Sequence, residues 1–146
     1  MTIKDVKQYK CDYCQKKGYS AGHMRKHERG CTLNPERECR VCKLDVVDTD
    51  QRPINELRAG LPDVEQYRIE DTYGDGYHYS EMMTVDANKA LKELRELTDC
   101  PACIMAAFRQ AGIPIPLVTD FKYKDEMQEI WGEMNERSNP DIYEYL

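Results

Sequence analysis

Eight side chains in this 146-residue chain combine the chemistry and the spacing needed to hold divalent metal ions. Cys11, Cys14, His27 and Cys31 follow the pattern Cys-x2-Cys-x12-His-x3-Cys. Cys39 and Cys42 form a second Cys-x-x-Cys pair, and Cys100 and Cys103 a third. Two residues between thiolates let both sulfurs reach one ion from a tight turn. A histidine and a cysteine four apart share one face of a helix. Sulfur and imidazole donors in sets of four suit tetrahedral zinc, and four protein donors leave no coordination position open for chemistry. The expectation is two structural zinc ions. An alternative for the first set uses His23, four residues before His27, and leaves Cys31 free.

The residues between the first ligands add a resemblance. Tyr9 lies two before Cys11, Tyr19 falls in the loop, and Met24 lies three before His27. Residues 9–31 thus resemble zinc fingers of the two-cysteine, two-histidine type, with Cys31 replacing the second histidine. The resemblance implies a hairpin turning at Cys11–Cys14, a helix from about Ser20 to Gly30, and a small core of those three fillers. In base-reading fingers, helix positions −1, 3 and 6 face the bases. Those positions here are Ser20, His23 and Lys26, with Lys16, Lys17, Arg25 and Arg29 around them. One finger spans about three base pairs, too few for useful specificity alone. The same residues also fit a solvated basic face on a structural module.

The remaining four cysteines read as one further site, Cys39, Cys42, Cys100 and Cys103. Fifty-seven residues separate Cys42 from Cys100, so the shared ion would close a long loop. Cys100 and Cys103 fall at a predicted helix start, where the macrodipole favours thiolate. Cys-Pro-Ala-Cys there also resembles a thioredoxin-type redox motif, but that motif needs a preceding strand, and the preceding segment reads as helix. No P-loop, Gly-x-Ser-x-Gly or His-Glu-x-x-His run occurs. Small phage nucleases of the His-Asn-His type pair such cysteines with a catalytic histidine. The histidines are His23, His27 and His78; His27 reads as a ligand, and His78 lacks the Asn or His partner that motif requires. The expectation is a protein that is not an enzyme.

The elements that must position these donors are mostly helical. Ala87, Ala90, Leu91, Leu94 and Leu97 recur at helical spacing over 84–98. Thr98 or Asp99 would cap a second helix over about 100–111, with Pro101 in its first turn and Gly112 at its end. Met127, Ile130, Trp131 and Met134 make one stripe on a helix over 122–137. Pro53–Ala59 predicts a short helix, 113–116 an extended linker, and 71–79 a Tyr-bearing hairpin turning at Gly74-Asp75-Gly76. The tail from Ser138 reads as frayed or docked. The predicted class is α+β, mostly α. It comprises a ββα finger in residues 1–35 and a helical domain in 36–146 stapled by the four-cysteine site.

Charge is divided along the same line. Net charge is −6, yet residues 1–44 carry +6 and residues 45–146 carry −12. A basic finger could meet DNA or RNA, whereas the acidic remainder is repelled by it and could bind a protein. No apolar run stands behind the N-terminus and no stretch is long enough to span a membrane, so the expected location is cytoplasmic. The run His27–Cys42, HERGCTLNPERECRVC, and the Cys-Pro-Ala-Cys-Ile start at Cys100 resemble short phage and prophage proteins. That resemblance implies a viral origin, a host cytoplasm, and a possible host-protein partner such as a defence nuclease.

Overall fold

Apolar residues recurring at helical spacing bury most area when helices pack against one another, and helices dominate this protein. The computed structural model describes residues 1–44, 47, 50–70, 77–79 and 81–138. In chain order these hold β1 (Tyr9–Lys10), β2 (Lys17–Gly18), α1 (Ala21–Gly30), α2 (Ile54–Arg58), β3 (Arg68–Glu70), β4 (Tyr77–Tyr79), α3 (Glu81–Leu97), α4 (Pro101–Ala111) and α5 (Tyr123–Ser138). Each hairpin is antiparallel, with Tyr9 opposite Gly18 in the first and Ile69 opposite His78 in the second. No helix among the described residues is long and apolar enough to cross a membrane.

Local chemistry sets the boundaries. Ser20 caps α1 by accepting from the His23 N–H at 3.3 Å. Pro101 occupies the first turn of α4, where its missing N–H has no intrahelical use. Gly112 ends α4 at φ 77°, a left-handed conformation that costs a side-chain-bearing residue about 1–2 kcal/mol. The N-cap of α4 is Cys100 itself rather than Thr98 or Asp99. Buried Thr98 instead accepts from the Cys100 N–H at 3.1 Å, which fixes the start of the cysteine turn.

Two apolar cores result. The larger gathers Leu57, Met83, Leu91, Leu94, Ile104 and Phe108 around α4, which is buried on nearly every side. The smaller consists of Cys11, Met24 and Cys31 with Tyr9 and Leu33 packed beside them. Residues 113–116 are not a plain extended linker. A 3-10 turn over Ile115–Leu117 reverses the chain so that Ile113, Val118 and Phe121 can enter the larger core. The α5 stripe is also thinner than its spacing predicts. Met127 and Ile130 pack on the core, but Trp131 is 51% exposed, because only the first turns of α5 reach α4. β3 begins at Arg68, ahead of the predicted hairpin start, with Arg68 opposite Tyr79 and Ile69 opposite His78. The predicted turn at 74–76 and the tail beyond Ser138 lie outside the described residues.

Candidate metal centres

The first centre is assembled by β1, β2 and α1. Its knuckle closes through the Cys11 N–H donating to the Lys16 carbonyl at 2.8 Å, with Gln15 in left-handed conformation at φ 67°. The Tyr13 N–H donates to Cys11 Sγ at 3.4 Å, as backbone N–H groups do when they stabilise a thiolate. The Asp12 N–H donates to Glu28 Oε1 at 3.1 Å and ties the knuckle to α1. Across this gap Cys14 Sγ lies 3.1 Å from His27 Nε2. The donor atoms of Cys11, Cys14, His27 and Cys31 all fall within 4.8 Å of one another. His23 is exposed and takes no place among them. Met24 fills the floor as its spacing predicts, but Tyr19 does not join it and is 69% exposed. Gly18 faces Met24, so strand alternation turns Tyr19 outward, and Leu33 takes the vacated flank.

The second centre lies inside the larger core, where the strap after Leu33 meets the start of α4. Cys39 Sγ is 3.5 Å from Cys100 Sγ, and Cys42 Sγ is 3.4 Å from Cys103 Sγ. A disulfide holds its sulfurs about 2.05 Å apart. Four thiolates about 2.3 Å from a zinc ion sit on tetrahedron edges of about 3.8 Å. The observed separations fit the tetrahedron and leave all seven thiols free. Because α3 rather than a strand precedes Cys100, and its sulfur faces Cys39, the helix start is part of a four-sulfur cluster.

Electrostatics favour a cation at both places. Burial pushes the Cys14 thiol up, but hydrogen bonds from the Lys16 backbone and from His27 outweigh it and bring Cys14 down to about 7. Burial drives Cys31 up to about 11. In the second cluster hydrogen bonding from Cys100 lowers both Cys39 and Cys103. The bond to Cys100 raises Cys42, and the bond to Cys103 raises Cys100. Each set thus contains thiols pushed in both directions, and a divalent ion bound there would favour thiolate at its sulfurs.

The supporting residues carried no spacing signal in the sequence. Arg37, 8% exposed, donates from Nη1 to Cys103 Sγ at 3.7 Å. Its charge would offset the two net negative charges left by four thiolates around a divalent ion bound there. Gln51 spans the strap, accepting from the Cys39 N–H at 2.6 Å and donating to the Arg37 carbonyl at 2.8 Å. Gln110 on α4 donates to the carbonyls of Thr32 and Asn34 at 2.9 and 3.0 Å, and Asn34 donates to the Glu28 carbonyl at 2.8 Å. These bonds run from α1 to α4 and connect the surroundings of the two centres.

The basic residues predicted to meet nucleic acid are exposed but lie on two sides of α1. Lys16, Lys17, Ser20 and His23 line one cleft. Arg25, Lys26 and Arg29 line another, together with Arg40 and Lys43 from the strap. No protein-family model matches the chain, and no curated protein or solved structure is significantly similar to it.

Proposed function

We propose that this chain is a non-catalytic module, stabilised by two zinc ions, that recognises nucleic acid through the basic surface around α1. The observation that supports it most is the pair of four-donor clusters. Sulfur and imidazole donors in closed sets of four belong to structural zinc, and the first set carries the ββα order of a zinc finger. A closed set leaves no position for a metal-bound nucleophile, so the ions hold shape, and recognition falls to the surface they hold. The exposed cations Lys16, Lys17, Arg25, Lys26 and Arg29 are concentrated there although the whole chain is acidic. Zinc counting by native mass spectrometry tests the metal reading, with two ions per chain expected and one or none refuting it. Electrophoretic mobility shift against mixed nucleic acids tests the recognition reading. Binding that weakens steeply with salt is expected from phosphate contacts, and no binding at low salt defeats it.

A second reading is favoured by one feature of α5. Trp131 is exposed on a helix that also carries the exposed carboxylates Glu129, Glu133 and Glu136. An exposed aromatic on an acidic helix suits a basic protein surface. The resemblance to phage proteins points the same way, toward a host protein. Co-purification abolished by Trp131→Ala would favour this reading over the first.

A further inference from the structure

We propose that the nucleic acid recognised is single-stranded, and that it follows a groove made jointly by the finger and the strap Arg37–Lys43. This rests on the nucleic-acid reading above. It differs from that reading in adding contacts from Arg40 and Lys43, outside the finger, and in excluding duplex readout by α1.

The first observation is steric. His23 and Lys26, the finger positions that would face bases, line a cleft of about 420 Å³ whose opposite wall is the strap from Arg37 to Val41. The strap is fastened there. The Glu38 N–H donates to the Arg29 carbonyl at 2.8 Å, and Arg40 Nη2 donates to the Lys26 carbonyl at 3.4 Å. The Glu38 carbonyl lies 3.6 Å from where a Cβ on Gly30 would be. A bare helix is about 10–12 Å across and fills a major groove about 12 Å wide. With the strap fastened on its flank, α1 presents more than a bare helix to such a groove, which disfavours its entry.

The second observation is continuity. Three clefts adjoin around α1. The cleft beside Lys16, Lys17 and Tyr19, about 480 Å³, shares His23 and His27 with the central one. The central cleft shares Lys26 and Arg40 with a third of about 400 Å³, lined by Arg25, Arg29 and Lys43. Among the described residues lining this path Glu38 is the single carboxylate, and its charge is met by Lys43 at 3.5 Å. A path of cations tracks one flexible phosphate backbone, which can bend with the groove where a duplex cannot.

The third observation is Tyr19. Its ring is 69% exposed at the Lys16–Lys17 end of the path and contributes nothing to the finger's core. An exposed aromatic beside lysines is a platform for an unstacked base, which single strands offer and duplexes do not.

The test is fluorescence anisotropy of labelled oligothymidylate, oligouridylate and a duplex of equal length, titrated with the zinc-loaded full chain. At least one single strand is expected to bind about tenfold or more tighter than the duplex. Tyr19→Ala is expected to weaken that binding about tenfold. The double variant Arg40→Gln/Lys43→Gln is expected to weaken it and to lower the salt slope by about 1.4, the value for two single-strand phosphate contacts. All of these positions are exposed, and an unchanged zinc count confirms that the variants fold. Tighter duplex binding overturns the proposal while leaving nucleic-acid recognition standing. Single-strand binding insensitive to Arg40→Gln/Lys43→Gln overturns the shared groove. Binding to none of the probes defeats the underlying reading as well. The thymidylate and uridylate arms separate DNA from RNA as the source of the strand.

Discussion

Replacing Cys100 with alanine is expected to cost far more stability than replacing Cys11, although each removes one metal ligand. The reason is chain entropy. The second centre ties Cys39 to Cys100 across 61 positions, whereas the first ties Cys14 to His27 across 13. By the relation that describes a covalent cross-link, closing the longer loop contributes about 4.3 kcal/mol and the shorter about 3.0 kcal/mol. Location widens the difference. Cys100 and Cys103 are buried in the core that holds α3, α4 and the base of α5, while Cys11 belongs to the small cluster beneath α1. An unfolding entropy near 0.3 kcal/mol per kelvin for a chain of this length converts the longer closure into a fall in Tm of about 14 °C. Thermal unfolding followed by far-UV circular dichroism, on zinc-loaded protein with its metal counted, measures it. Cys11→Ala is expected to unravel α1 and leave the main transition close to its parent value. If Cys100→Ala keeps the first ion yet shifts the main transition by less than a third of that amount, the second centre does not cross-link the core and the reasoning is wrong.

Other perturbations probe the surroundings of the ions. Arg37→Met removes the donor to Cys103 and the charge beside the four sulfurs, and is expected to weaken zinc retention at the second centre about 10–100-fold in competition with a chromophoric chelator. Gln110→Ala deletes two hydrogen bonds to the Thr32 and Asn34 carbonyls and should lower stability by about 1–3 kcal/mol in urea unfolding; an unchanged midpoint would show that α1 and α4 are held together by other contacts. Gln15→Val places a β-branched residue at φ 67° and should destabilise the knuckle by about 1–2 kcal/mol, whereas Gln15→Gly should be tolerated. Acidification should release zinc, because ligation requires thiolates and protons compete for them; an ion count constant from neutral to strongly acid solution would contradict thiolate coordination.

The two clusters of candidate ligands were legible in the sequence because metal ligation is written in short spacings. Cys-x-x-Cys and His-x3-Cys fix donors within a turn or on one helix face whatever the rest of the chain does. The same locality made α3 and α4 readable, since the apolar spacing over 84–98, Pro101 in the first turn of α4 and Gly112 at its end act within their own segments. Three things required the tertiary structure. Tyr19 faces solvent rather than the finger's core, because the register of β1 on β2 turns Gly18 inward. Trp131 stands exposed, because how far α5 follows the core depends on where the chain turns after α4. Arg37, Gln51 and Gln110 support the centres through bonds between residues 14 to 78 positions apart, and no local pattern predicts such partners. The sequence by itself determined which side chains could hold metal ions. Only the folded chain decided that the strap lies along α1 and adds Arg40 and Lys43 to the basic residues there.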